Sequence, residues 1–185
     1  MGSLTGYSSA KIGVSERLRG GPASSMTRFG KPWTYALRDV LQFSKTIDDA
    51  INSLNETDRT CSVYLGIGSS VNNTYRLIEY SETELNVYND KNWKNDAAHP
   101  RREGMIWKAY HDDKNCFANH FSPNYGKITP DLIWKQVAPR SETGDSQVIV
   151  MDYANNHIYA MYPNPVTTTP GWTRPAVRID LNPRF

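Results

Sequence analysis

Three β-prone runs stand one behind another in the middle of this chain. They are Thr60-Cys61-Ser62-Val63-Tyr64-Leu65-Gly66-Ile67-Gly68, then Tyr75-Arg76-Leu77-Ile78-Glu79-Tyr80, then Thr83-Glu84-Leu85-Asn86-Val87-Tyr88-Asn89-Asp90. Only turn-formers separate them, so no crossover of the length a parallel pair needs fits between them. Their order predicts an antiparallel meander. Asn89 then falls at the end of a strand, and the basic pair Arg101-Arg102 follows beyond His99-Pro100. A strand-end carboxamide followed by a basic pair is where chemistry is to be sought.

The flanking segments alternate in blocks. Residues 3–18 read as a hairpin, with Ser3 to Tyr7 and Ile12 to Arg17 as strands and Ser8-Ser9-Ala10-Lys11 as the turn. Gly20 to Ser25 is a loop. Trp33, Ala36, Leu37, Val40 and Leu41 recur at helical spacing behind Pro32, which suits a first helical turn. A second helix opens with Thr46 and Asp49 as a capping box and carries Ile47, Ala50, Ile51 and Leu54 on one face. After the meander, Gly104 to Tyr110 reads as an extended segment or short strand. Thr129 caps a helix with Pro130 in its first position, and Pro139 is expected to end it. Two strands, Ser146 to Asp152 and His157 to Tyr162, meet at the turn Tyr153-Ala154-Asn155-Asn156, and Ala176 to Leu181 is a final strand. Strand blocks and helix blocks are segregated. That order predicts an antiparallel, layered α+β protein rather than a doubly wound parallel sheet.

With 185 residues, eleven Tyr and five Trp, the chain has the material for a single domain, 1–185, with a substantial core. A net charge of +2 calls for neither a nucleic-acid nor a membrane-surface partner. No apolar run approaches the ~18 residues of a membrane helix, so no transmembrane segment is expected. Asn55-Glu56-Thr57 and Asn72-Asn73-Thr74 fit the N-glycosylation pattern and point to a secretory route. No charged leader precedes Leu4, so either the protein is cytosolic or the front of a longer precursor lies outside the sequence.

Candidate chemistry narrows quickly. The histidines, His99, His111, His120 and His157, show no zinc-type spacing and read as solvated loop residues, so no metal is expected. No Gly-x-Ser-x-Gly is present, which argues against an α/β-hydrolase serine. Cys61 and Cys116 form one disulfide or remain two buried thiols, and spacing alone leaves both open. Gly66 and Gly68 indicate a bulge or a close backbone approach, since no Gly-rich turn leads from them into a helix. Asn89 is suited to donate a side-chain N–H to a developing oxyanion, but Asn89-Asp90-Lys91-Asn92 is equally good turn chemistry. Arg101-Arg102 either pairs with anionic charge or is a solvated surface pair. Taken alone, the residues favour the turn and the surface pair.

Several motifs taken together resemble the cysteine N-terminal-nucleophile amidohydrolases, the acid ceramidase, N-acylethanolamine acid amidase and choloylglycine hydrolase group, and within it the acid-ceramidase-like branch. They are Leu4-Thr5-Gly6, Asn89-Asp90-Lys91-Asn92-Trp93, Arg101-Arg102, Thr143-Gly144-Asp145 and Asp152-Tyr153-Ala154-Asn155. The family's Tyr and Asp after its Asn are here Asp90 and Lys91, and its acidic pair before the arginines is here His99-Pro100. The resemblance implies an antiparallel αββα sandwich, incomplete at the N-terminus, and hydrolysis of a linear amide in an N-acyl lipid or related substrate. It implies no cofactor. It assigns Asn89 to the oxyanion hole, Arg101 to charge stabilisation, and Tyr7 and Ser8 to the substrate pocket. Asn89 and Arg101 are then expected to converge beside the Leu4–Gly6 hairpin. The family's nucleophilic Cys belongs upstream of that hairpin, so the partner it implies is a missing N-terminal segment of the same precursor. The full-length parent is expected in the lysosome or outside the cell, and this chain by itself is expected to be silent. The rival expectation is a non-catalytic remnant or ligand-binding module with the same sheet.

Overall fold

Alternation of apolar with small or polar residues after Gly6 produces the expected hairpin. In the computed structural model, which describes residues 4–19, 26–96, 99–108, 119, 121–140 and 146–182, β1 (Gly6–Tyr7) pairs antiparallel with β2 (Ile12–Leu18), Tyr7 opposite Gly13. Ser8 stabilises the turn, its backbone N–H donating to the Ile12 carbonyl at 2.9 Å and its hydroxyl accepting from Ile12 N–H at 3.4 Å. Lys11 takes a positive φ of 59°. The meander follows: β3 (Val63–Ser69), β4 (Thr74–Tyr80) and β5 (Leu85–Tyr88), every pair antiparallel, in the order β1-β2-β3-β4-β5. The expected loop 20–25 lies outside the described residues.

Between β2 and β3 the chain forms α1 (Trp33–Phe43) and α2 (Ile47–Glu56). Pro32 stands one place earlier than its sequence suggests, as the residue before the helix with ψ 136°. The capping box is formed in full: Asp49 N–H donates to the Thr46 hydroxyl, and Thr46 N–H donates to the Asp49 carboxylate, each at 3.0 Å. Together with the N–H of Lys45, these bonds hold the Asp49 carboxyl below its usual range. Alternate residues of the sheet, Ile12, Val14, Val63, Leu65, Ile67, Ile78 and Tyr80, bury themselves with Ala36, Leu37, Val40, Ile47, Ala50 and Leu54 of the helices. Residues 26–31 tie back to the chain before β3 through Thr27 N–H to the Thr60 carbonyl and Lys31 N–H to the Asp58 carbonyl, both 2.8 Å. Gly30 makes the second link possible: its φ is +134°, and a Cβ there would land on the Asp58 carbonyl. The register of β2 and β3 is unbroken, so Gly66 marks a close approach and not a bulge. Its missing Cβ would sit 2.7 Å from the Ser15 hydroxyl.

Tyr80 is fully buried in this core and its hydroxyl has no hydrogen-bond partner among the described residues. Burial pushes the phenol up to about 12, against the attraction of the Arg59 guanidinium. A proton held more tightly in the folded state contributes stability that is complete below the ordinary phenol value near 10 and is lost as pH rises through about 12. At 1.36 kcal/mol per unit the loss is about 3 kcal/mol. Tyr80→Phe removes an unpaired hydroxyl, so it should raise stability by about 1 kcal/mol at pH 7 and flatten the decline between pH 10 and 12. Thermal melts of the two proteins across that range test both parts, and an unchanged alkaline slope in the variant would contradict the assignment.

The described chain divides into two units, Met1–Asn92 and Trp93–Phe185. In the second, Thr129 caps a helix, its hydroxyl accepting from Leu132 N–H at 3.2 Å. That helix, α3 (residues 130–140), begins as an α-turn at Pro130–Leu132, widens to a π-turn over Ile133–Val137 and closes at Ala138–Arg140. Pro139 therefore stands in the last described turn of the helix, one residue before Arg140. A proline ring meets the carbonyl four residues back in a regular α-turn, and the widened turn before it relieves that contact. β6 (Val148–Asp152), β7 (His157–Met161) and β8 (Val177–Asp180) form a three-stranded antiparallel sheet in that order. The turn between β6 and β7 carries Asn156 at φ 53°. Ala138, Val148, Val150 and Met161 make the core here, with Trp134 against Tyr159 at 5.2 Å. The run expected to be extended after Gly104 instead opens with a tight turn at Gly104, φ 68°, closed by Met105 N–H to the Arg102 carbonyl. Trp107 then packs on Phe121 at 5.5 Å, and residues 109 and 110 lie outside the described set. The chain is thus a mixed α and β protein whose sheets are antiparallel. Among the described residues no helix is long and apolar enough to cross a membrane.

Candidate functional site

β5 ends at Tyr88 and delivers Asn89 into a turn that its own side chain organises. Asn89 Oδ1 accepts from Lys91 N–H at 2.8 Å and from Asn92 N–H at 3.2 Å. In return Asn92 Oδ1 accepts from Asn89 N–H at 2.6 Å, and Asn92 Nδ2 donates to the Val87 carbonyl at 3.2 Å. Both amide orientations are settled by these donors, because only an oxygen accepts a backbone N–H. The turn reading and the donor reading are therefore compatible. The oxygen end of Asn89 is engaged by the turn, and the Nδ2 end has no partner among the described residues.

Tyr7 and Ser8 belong to the opposite side of the same sheet. β1 and β5 are its two edges, with β2, β3 and β4 between. Four steps of about 4.8 Å put roughly 19 Å of sheet between Tyr7 and Asn89. The expected meeting of Asn89 with the Leu4–Gly6 hairpin is therefore not made within this unit: three intervening strands hold them apart. The Tyr7 hydroxyl lies 3.0 Å from the Ser70 hydroxyl, and Ser8 is buried with its hydroxyl on Ile12 N–H.

Arg101 belongs to the second unit, at the close of a loop that begins with buried Trp93. Its backbone N–H donates to Asn95 Oδ1 at 3.0 Å and its Nη2 to the Trp93 carbonyl at 3.1 Å, with the side chain otherwise exposed. Arg102 donates to the Arg101 carbonyl at 3.1 Å. Between Trp93 and Arg101 lies a feature that the sequence does not announce. His99 is buried, not solvated: its ring meets Trp93 edge to face at 6.0 Å, and its Nδ1 lies 3.1 Å from Asp96 Oδ1. An Asp-x-x-His spacing is the only signal of it in the sequence, and it is too common to act on. His157 opens β7, as the strand expected from His157 places it, and meets Tyr159 edge to face at 6.1 Å. His111, His120 and Cys116 lie outside the described residues, as does Thr143-Gly144-Asp145. Among the described residues no group of three or more His, Cys, Asp and Glu side chains comes together as a metal site.

Cys61 is a free, half-buried thiol 3.2 Å from the Thr60 hydroxyl, just before β3. A second feature that the sequence conceals spans β3, β4 and β5. Glu79 accepts from the hydroxyls of Tyr88 at 2.9 Å and Tyr64 at 3.4 Å and from Asn86 Nδ2 at 3.4 Å, with Arg19 at 3.9 Å. Burial, then the Glu79 hydrogen bond, push the Tyr88 phenol up to about 12, and burial raises Tyr64 as well. A carboxylate holding that many donors latches strands together and is not a free base. Asn55, in the last turn of α2, and Asn72, in the β3–β4 turn, are both exposed, as attachment of a glycan requires.

No protein-family model matches the chain. It is similar to two curated proteins of Dictyostelium discoideum. Protein dcd1A is 32% identical over 203 residues, a match covering 100% of this chain and 45% of that protein. Protein dcd1B is 34% identical over 167 residues, covering 86% of this chain and 33% of that protein. The chain thus spans less than half the length of the curated relatives it matches.

Proposed function

We propose that this chain carries the C-terminal part of an amide-bond hydrolase of the cysteine N-terminal-nucleophile kind, acting on N-acylated lipids or related linear amides. The observation that carries the reading is the state of Asn89. Its carbonyl oxygen is pinned by two backbone donors, which fixes the amide and leaves its Nδ2, at a strand end, without a partner among the described residues. Preorganised donors aimed at developing negative charge are the largest single contribution in many acyl-transfer enzymes. A thiolate from a preceding segment attacks the amide carbonyl, with its own α-amine taking the thiol proton. The carbonyl electrons move to the oxygen that Asn89 Nδ2 receives. The C–N bond then breaks, the amine leaves with that proton, and water cleaves the thioester to a free acid. Arg101 offers its remaining N–H groups to an oxygen of the substrate. An αββα arrangement of the antiparallel sheets, and passage through the secretory route with glycans at Asn55 and Asn72, belong to the same reading.

The test compares two proteins. The longer parent polypeptide should mature to an N-terminal Cys, read by mass spectrometry, and release amine from N-acyl amides of varied chain length. The 185-residue chain alone should release none. Hydrolysis by the short chain, abolished by Cys61→Ala, would overturn the assignment of roles. The second reading, a binding module without turnover, is favoured by the distance between Asn89 and the Tyr7–Ser8 edge. It predicts that N-acyl amides raise the melting temperature of the chain while the parent leaves them intact.

A further inference from the structure

The turn after β5 holds one carboxamide more than it needs. Such a turn closes on its first side chain alone: Asn89 Oδ1 accepts Lys91 N–H at 2.8 Å and Asn92 N–H at 3.2 Å. Any residue at position 92 other than proline supplies that second donor. The Asn92 side chain is exposed, so it fills no core. It nevertheless makes two bonds of its own. Its Oδ1 accepts Asn89 N–H at 2.6 Å and its Nδ2 donates to the Val87 carbonyl at 3.2 Å.

Those two bonds act on the end of the strand. Bonded and unbonded pairs alternate along an antiparallel ladder, and Ser81 N–H on the Glu84 carbonyl sets the count. Val87, opposite Ile78, falls on an unbonded pair, so its carbonyl faces the edge of the sheet that β5 forms. Asn92 reaches back to that edge from the turn. A carboxamide is planar, with its oxygen and nitrogen at a fixed separation. Bridging the Val87 carbonyl and Asn89 N–H therefore ties together the peptide planes on either side of Tyr88. With Asn89 Oδ1 on Asn92 N–H in return, the two asparagines close a reciprocal ring of the kind that Thr46 and Asp49 make. Bonds to the Asn89 oxygen alone leave the backbone of residue 89 free to swing at the strand end and to carry Nδ2 with it. The ring removes that freedom.

We propose that Asn92 is a positioning residue for Asn89: its carboxamide, bridging the Val87 carbonyl and Asn89 N–H, holds the Asn89 Nδ2 donor in one place at the end of β5. The use of that donor on an oxyanion rests on the hydrolase reading above; its ordering does not.

Three substitutions test this. Asn92→Ala removes both side-chain bonds and keeps the backbone donor. Asn92→Gln carries the same groups on a stem one methylene longer, which overshoots the bridge, so the result does not rest on one variant folding. Asn92→Asp keeps the acceptor for Asn89 N–H. In the 185-residue chain labelled with 15N-asparagine, the order parameter of the Asn89 side-chain amide should be about 0.8 in wild type and stay near it in Asn92→Asp. It should fall below about 0.6 in Asn92→Ala and Asn92→Gln. In the mature parent, Asn92→Ala should lower kcat by roughly tenfold or more with KM unchanged, as a displaced donor does. Added to Asn89→Ala it should cost nothing further, because a residue that acts through Asn89 then has nothing to position. A purely structural role gives the same loss on both backgrounds, and that result overturns the proposal, as does an ordered Asn89 amide in a folded Asn92→Ala chain. If the order is lost as expected while the wild-type parent hydrolyses no amide, the clamp stands and the hydrolase reading falls. If the parent hydrolyses amides and Asn92→Ala turns over at the wild-type rate, the reverse is true.

Discussion

On the proposed hydrolase reading, replacing Asn89 by alanine in the mature parent should lower kcat by roughly 10²–10³-fold, the scale for loss of one oxyanion donor, with little change in KM. The alanine also removes the acceptor for Lys91 and Asn92 N–H, so a modest loss of stability accompanies it. Asn89→Asp separates the two roles. It keeps an oxygen for both backbone donors, and in place of Nδ2 it puts a second oxygen that repels an oxyanion. The aspartate variant should therefore melt like wild type and turn over as slowly as the alanine variant, or more slowly. Steady-state kinetics and a thermal melt on the same preparation decide the matter. An active Asn89→Asp enzyme would leave the residue with its turn alone.

Gly30→Ala should cost more than about 3 kcal/mol of stability, because two unfavourable effects fall on one position. The backbone sits at φ +134°, where an L side chain is strained by about 1–3 kcal/mol. The new Cβ also meets the Asp58 carbonyl, whose oxygen accepts Lys31 N–H at 2.8 Å. That atom is backbone and cannot swing away, so the tie between the residues before α1 and those before β3 must open. For a chain of this size the melting temperature should fall by about 6 °C or more. Gly126→Ala is the control: it has φ +76° but nothing within 4 Å of the added Cβ, so it should show the conformational strain alone. Equal losses at the two positions would mean that the contact with Asp58 has little weight.

Features that depend on near neighbours along the chain are legible in the amino-acid sequence. Thr46 and Asp49 announce their cap because both partners lie within one helical turn. The meander and the Asn155-Asn156 hairpin follow from run length and turn chemistry. What the sequence hides depends on partners that residue order does not reveal. Glu79 meets Tyr64 and Tyr88 only once the register of three strands is set. His99 reads as solvated beside Pro100, yet it is buried with its ring edge to face on Trp93, at the start of the same loop. Sheet order likewise puts β1 and β5 at opposite edges, which neither strand by itself foretells. Pro139 is taken into the last described turn because the proline rule holds for α-turns, and this helix is not α throughout.

That helix has a consequence for how the gene can vary. A π-turn is an α-helix with one residue in surplus. Deleting a single codon between Ile133 and Val137 would return the backbone to regular α geometry, and the Thr129 cap would survive. The proline ring would then press on the carbonyl four positions behind it. Deletion and Pro139→Ala are therefore a compensating pair, with the shortened helix tolerated only when the proline is gone as well.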